Sequence, residues 1–206
     1  MENYEIDENG VIKQINYNIK TYDEEYVSVY DRYGELTNYM SYLRYGFLIG
    51  SIGKIPNSIL DIGYGNGSFL RVCSNSISNC FGYDVSGVEL PNEITIVDNF
   101  FDRHYEVITF FDSLEHFEDI HFIDKLNCDY ICVSLPWCHN FDDGWFKQWK
   151  HRKPNEHLWH FNEKSLKAFM EKNNFTQINS VNLEDNIRKN DEVYPNILTA
   201  IFKKNK

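Results

Sequence analysis

Residues Ser58 to Leu70 read S-I-L-D-I-G-Y-G-N-G-S-F-L. Ile59, Leu60 and Ile62 form a short apolar run suited to a strand buried on both faces, and Asp61 ends it. Gly63, Gly65 and Gly67 follow at alternate positions. Phe69, Leu70, Cys73 and Ile77 then recur at helical spacing. Strand, glycine turn and helix in that order is the sequence form of a nucleotide-type site at the carboxyl end of a parallel strand. A glycine lacks Cβ, so it accepts positive φ and lets a ligand lie against the main chain. The helix that follows offers free N–H groups and its positive dipole end.

Working outward, Cys80-Phe81-Gly82-Tyr83-Asp84 reads as a second strand ending in an acid, some twenty residues past the turn. An acid there can accept both hydroxyls of a ribose, and an ionised acceptor holds them better than an amide. Glu93 to Val97 is a third strand ending at Asp98, and Tyr105 to Phe111 a fourth. Asp129 to Leu135 is a fifth, followed by Pro136-Trp137. Residues 175–183 and 197–203 alternate as a closing antiparallel pair, with a charged, exposed linker over 184–192. The stretches between the second, third and fourth strands are too short for full helices. Ahead of the first strand, Tyr26, Tyr30 and Tyr33 form one helical stripe, and Tyr39, Leu43 and Phe47 a second, with Gly34 between them. Residues 1–20 read as a polar arm with one short strand around Val11 to Ile15.

The G-x-G-x-G turn with Asp61 ahead of it resembles motif I of the class I S-adenosylmethionine-dependent methyltransferases. Ile108 to Phe117, I-T-F-F-D-S-L-E-H-F, resembles motif IV and the L-E-H signature of a subset acting mostly on small molecules. That subset includes the quinone-ring O-methyltransferases and the type 23 group. His157 to Leu166 resembles its H-x-x-x-F-x-x-x-S-L element. The resemblance runs from about Tyr22 to Phe202 and implies one α/β domain over 1–206. Its fold would be a Rossmann-like seven-stranded methyltransferase sheet, mostly parallel with an antiparallel last strand. An N-terminal helical extension would occupy 1–53, and a substrate lid 137–161.

The same resemblance implies S-adenosylmethionine as cofactor. Asp61, Gly63, Tyr64 and Gly65 would hold its methionine half, Asp84 its ribose, and Val85 and Asp98 its adenine. Asp112 or Ser113 would touch it near the sulfonium, and a tyrosine of the N-terminal segment or Arg44 would touch its carboxylate. His116 and His157 are the candidate bases, since an imidazole can take a hydroxyl proton near neutral pH. In the quinone subset this region also helps hold a divalent ion, but the residues here assign no metal ligand. Asn162 is placed to cap the next helix, with Phe161 stapled to Leu166.

Residues 137–161 carry all four tryptophans and four of the seven histidines. A connecting loop this aromatic must pack down or bind something. Read as the acceptor lid, it offers Trp137, Trp145, Trp149 and His160 as substrate contacts. Phe146 adds a further ring for a sugar face or planar group to stack on. Lys147, Lys150, His151, Arg152 and Lys153 form a basic cluster suited to a phosphate or carboxylate. The expected reaction is therefore methyl transfer to oxygen or nitrogen of a small acceptor, such as a sugar, nucleotide sugar or other anionic metabolite. A non-catalytic cofactor-binding protein is the alternative. A nicotinamide oxidoreductase fits the glycine spelling less well.

A formal net charge of -11 argues against nonspecific affinity for nucleic acid or anionic lipid. Ser134-Leu135-Pro136-Trp137 is superficially similar to the motif of base-modifying amino-methyltransferases, but it lacks the first proline and follows the fifth strand rather than the fourth. Residues 1–20 contain no apolar signal core, and no run is long enough to span a bilayer. Five cysteines, an odd number, fit reduced thiols in a cytoplasm. Cys128, Cys132 and Cys138-His139 are spaced more widely than usual zinc ligand pairs, so the cysteines read as buried thiols.

Overall fold

The computed structural model describes residues 2–18, 34–139, 142–188 and 193–206; the first predicted tyrosine helix falls largely outside them. Strands β1 (Tyr4–Ile6) and β2 (Ile12–Gln14) form an N-terminal hairpin. Helix α1 (Leu36–Ile52) precedes β3 (Ser58–Ile62), α2 (Ser68–Cys73), β4 (Asn79–Tyr83), β5 (Ile94–Ile96) and β6 (Tyr105–Phe111). Then come β7 (Cys128–Pro136), α3 (Asp143–Gln148), β8 (Trp159–His160), α4 (Glu163–Lys172), β9 (Phe175–Val181) and β10 (Ile197–Lys204). Seven strands make one sheet in the order β5-β4-β3-β6-β7-β10-β9. The first five neighbours run parallel and β10 is antiparallel to both β7 and β9. This is the predicted fold class. As expected, no α-helix lies between β4 and β6.

Period-two alternation assigns the sheet's faces. Leu60 and Ile62 of β3, with Ile108 and Phe110 of β6, join Leu166, Phe169 and Met170 of α4 in one core. Ile59 and Val107 face the other way, into a second core with Leu48 of α1 and Phe69 and Leu70 of α2. All seven residues of β6 are buried, which is why it reads as an unbroken apolar run. Asp61 shares the α1 face with Ile59, and its register partner is Thr109. Ser134 of β7 is paired with Thr199 of β10 in the same way. A polar row therefore crosses the sheet under α1, among strands that are otherwise apolar.

Helix α1 turns Met40, Ser41 and Leu48 inward, and Tyr39 outward at 57% exposure. The predicted Tyr39–Leu43–Phe47 stripe is thus rotated. The inward row at three- and four-residue spacing contains Arg44, whose charge hid it from an apolar reading. Helix α4 starts as its sequence specifies: Asn162 Oδ1 accepts from Ser165 N at 2.8 Å, and Ser165 Oγ accepts from Asn162 N at 3.0 Å.

The N-terminal arm has a defined place. Its β2 pairs with β8, opposing Ile12 to His160 and Lys13 to Trp159. Tyr4, Ile12, Cys138, Phe146 and Trp149 close a satellite core between arm and lid. The five cysteines are buried and none is in a disulfide among the described residues, matching the thiol reading. No helix among the described residues is long and apolar enough to cross a membrane.

Candidate active site

A cleft of about 370 Å³ opens above the carboxyl ends of β3 and β6, with α1 along one wall. Asp61, Gly63, Tyr64, Arg44 and Asp112 line it from the cofactor set, and His116 and His157 from the proposed bases. The glycine turn explains its own sequence. Gly63 sits at φ +82°, and a Cβ there would lie 2.5 Å from Ser113 Cβ. Ser113 is held in place, because its hydroxyl donates to the Ile62 carbonyl at 2.6 Å. Gly63→Ala should therefore cost roughly 2–3 kcal/mol, from left-handed strain plus the clash. A urea unfolding midpoint equal to wild type would show that the turn tolerates a side chain.

Asp84 closes the turn from the next strand. Its Oδ2 accepts from Gly65 N at 2.8 Å and its Oδ1 from Ser86 N at 2.7 Å. Gly65, Asp84, Val85 and Asp98 lie beside the cleft rather than among its lining residues. Val85 is 72% exposed. Asp98 is exposed beyond β5.

Asp61 is 2% exposed and accepts from Thr109 Oγ1 at 2.6 Å. Burial pushes its carboxyl up to about 7, although the Thr109 hydroxyl and Arg44 pull it back. Asp112 stands at φ +55° after β6. Burial would raise its pKa, but the guanidinium groups of Arg188 and Arg44 prevail and hold it well below the usual carboxylate range. Arg44 Nη2 donates to Asp112 Oδ2 at 2.8 Å, and Arg188 Nη1 to Asp112 Oδ1 at 3.0 Å. Asp112 lines the cleft while bound to two arginines, and Ser113, outside the lining, supports the turn.

In the same cleft, Glu115, His116 and His157 offer ligand atoms that all lie within 4.8 Å of one another. The imidazoles meet edge to face at 4.7 Å. His157 Nδ1 faces the His151 carbonyl at 2.8 Å, so Nδ1 carries the hydrogen and Nε2 keeps a lone pair. Burial lowers His116 to about 4 and, with His116 beside it, takes His157 well below the ordinary imidazole value. Glu115 is 1% exposed, and neither carboxylate oxygen has a hydrogen-bond partner. Burial, with Asp112 nearby, lifts it to about 8. Two neutral imidazoles and one unsatisfied carboxyl are a donor set that a divalent cation suits. Ligand distances of about 2.0–2.2 Å would draw the three atoms slightly inward.

The lid aromatics are placed differently from the expectation. Trp137, Trp145, Trp149 and His160 are all absent from the cleft lining. His160, 2% exposed, is enclosed by Tyr4, Phe146 and Trp149 at ring distances of 5.8, 5.1 and 5.6 Å. Trp145 stacks on Trp149 at 5.4 Å, and Trp137 on His139 at 4.9 Å. The arm gives these rings a surface to bury, and burial outweighs exposure to an acceptor. Among the described residues of the lid, Lys150, His151, Lys153 and His157 reach the cleft. Of the other basic residues, Arg152 lies over the Tyr4 ring and Lys147 pairs with Asp143.

Among the residues with no assigned role in the sequence reading, Glu115 and Arg188 line the cleft and Glu184 holds Arg44 there. Glu184 has a side chain with 0% exposure, although it begins the linker expected to be exposed. The signal for it was the polar row of Asp61, Thr109, Ser134 and Thr199, which required a charged cover.

A methyltransferase domain profile, type 23, matches residues 43–180. Sequence comparison with curated proteins gives no match. Among solved structures, the plantazolicin methyltransferase BpumL, in complex with a triazolic desmethyl analogue and S-adenosylhomocysteine, is 17% identical with a TM-score of 0.61. That alignment covers 89% of this chain and 92% of that one. Magnesium protoporphyrin IX methyltransferase from Synechocystis PCC 6803, with bound S-adenosylmethionine, is 13% identical, with a TM-score of 0.57 and coverage of 90% and 87%. The YcgJ protein from Bacillus subtilis is 14% identical, with a TM-score of 0.56 and coverage of 80% and 99%. These likenesses establish the fold, and the profile match the family. The chain belongs to the type 23 methyltransferase domain family of class I S-adenosylmethionine-dependent methyltransferases.

Proposed function

We propose that this enzyme moves the methyl group of S-adenosylmethionine to an oxygen or nitrogen of a small, anionic acceptor. The observation that carries this reading is the charge and hydrogen-bonding chemistry of the cleft. Arg44, Asp61 and Gly63 line it together with Glu115, His116 and His157. A cation and an acid side by side fit the carboxylate and ammonium of an amino acid group. Bound there, the sulfonium would supply an electrophilic methyl group.

The chain's own residues then align and desolvate. The turn at Gly63 admits a ligand to the backbone, Asp84 offers its remaining acceptor sites to a ribose, and Tyr64 and Phe69 wall the cleft. His157 Nε2 is positioned to receive a hydroxyl proton from the acceptor. Lys150 and Lys153, exposed at the rim, suit an anionic group on the acceptor. The test is release of S-adenosylhomocysteine during incubation with panels of phosphorylated and carboxylated hydroxyl or amino metabolites. Cofactor binding without turnover on any panel would favour the non-catalytic alternative.

A second reading is favoured by the unsatisfied Glu115 carboxyl. Glu115, His116 and His157 would hold a divalent cation that polarises an acceptor hydroxyl. The two roles exclude each other at His157, because a metal-bound nitrogen has no lone pair left for a proton. Turnover that survives chelation and ignores added Mg²⁺, Mn²⁺ or Zn²⁺ would eliminate this version.

The Asp61 carboxyl gives the site a pH dependence. It is neutral below about 7 and charged above. An ammonium group favours the charged form, so binding below that pH must also remove a proton. Affinity for S-adenosylhomocysteine should rise with pH, by up to about tenfold per unit below 7, and level off above it. Calorimetry at pH 6 and pH 8 should show the rise in wild type and a flat response in Asp61→Asn. Equal slopes in both proteins would remove Asp61 from the ammonium site.

A further inference from the structure

Glu184 lies in the short helical turn Glu184–Asn186 between β9 and β10, and its carboxylate accepts three hydrogen bonds and pairs with a second arginine. Arg44 donates through Nε at 2.6 Å to Oε1 and through Nη2 at 3.0 Å to Oε2. Ser134 Oγ donates to Oε1 at 2.5 Å, and Arg188 Nε lies 2.9 Å from Oε2. Ser134 is itself held at 3.1 Å from Thr199 Oγ1. A guanidinium gripped along its Nε–Nη2 edge has a fixed plane as well as a fixed position. Phe111 supports that plane from below, 4.5 Å from the Arg44 Cζ. Arg44 Nη1 has no hydrogen-bond partner among the described residues. Arg44 lines the cleft with a side chain only 12% exposed, beside Asp61. Its surroundings therefore leave one donor edge for a ligand and hold every other edge.

We propose that Glu184 is a positioning residue: it aims the Arg44 guanidinium at the carboxylate of the cofactor's amino acid end, so that the β9–β10 connection takes part in cofactor selection. This rests on the cofactor reading above and adds a residue to it. A carboxylate placed only to neutralise a buried arginine would support the fold and act on all ligands alike. One placed to aim that arginine acts only on ligands that carry the carboxylate.

The experiment is calorimetric titration of the full chain with two probes. One is S-adenosylhomocysteine; the other is 5′-methylthioadenosine, which has the nucleoside but no amino acid end. Glu184→Gln should weaken S-adenosylhomocysteine binding roughly 10- to 100-fold, the loss expected for disturbing a hydrogen bond to a charged group. Methylthioadenosine binding should stay within about twofold, the scatter expected when no contact is lost. Arg44→Lys, which keeps the charge but loses the fork, should show the same selective loss. Ser134→Ala removes one donor from the same carboxylate and should give a milder selective loss, roughly threefold. It decides the question should Glu184→Gln fail to fold. Parallel weakening of both probes, or no change in either, overturns the role of Glu184. A wild type that binds methylthioadenosine but not S-adenosylhomocysteine overturns it as well. A wild type that binds neither overturns the cofactor reading beneath it.

Discussion

Asp84→Ala is expected to weaken S-adenosylhomocysteine binding by roughly 10²- to 10⁴-fold, the effect of losing two hydrogen bonds to a charged acceptor. The structure adds a second contribution. Asp84 also ties Gly65 N and Ser86 N, so the alanine variant loosens the turn that meets the ligand. A carboxylate oxygen has two acceptor directions, and each Asp84 oxygen has used only one on the backbone. Asp84→Asn keeps one acceptor oxygen and should lose affinity less, by roughly tenfold. Calorimetric titration of the three proteins checks the order. An alanine variant that binds as tightly as wild type would remove Asp84 from the ribose and return the glycine turn to a purely structural role.

His157→Asn should lower kcat by roughly 10²- to 10⁴-fold, the range for losing a positioned proton acceptor. Asparagine can still donate to the His151 carbonyl from near the Nδ1 position, while the Nε2 lone pair is gone. S-adenosylhomocysteine affinity should stay within about twofold, since the proposed role of His157 is toward the acceptor and not the cofactor. The variant thus separates chemistry from cofactor binding. Once an acceptor is in hand, steady-state kinetics and calorimetry on the same preparation decide it. Unchanged kcat would make the three-residue cluster a structural one. The metal version predicts the same loss in kcat, together with sensitivity of the wild type to chelation.

The strands of the seven-stranded sheet were legible because each is a local pattern, whereas β1 and β8, short and paired through β2, were not. Tyr105–Phe111 was bounded by its own apolar run and is β6 to the residue. Asp84 and the glycine turn were legible because a fixed spacing joins them across one βαβ unit. Glu115 was visible within L-E-H but had no role, since its burial comes from residues remote in sequence. The aromatic lid misled for the same reason. Its rings marked a segment that must bury surface, and nothing local said whether a substrate or the N-terminal hairpin would cover it.

Determined by the sequence itself were the order of the elements, the sheet type, the glycine turn and the acid that closes it. Each depends on residues close in the chain or on periodicity, and both are written in one dimension. The tertiary structure alone decided which side chains share the cleft. Arg44 and Glu184 are 140 positions apart, and they meet because α1 and the β9–β10 connection cover the same polar row of the sheet. Unpaired charges are too costly to bury, so the two groups settle on each other, a choice made only when the sheet has brought them together.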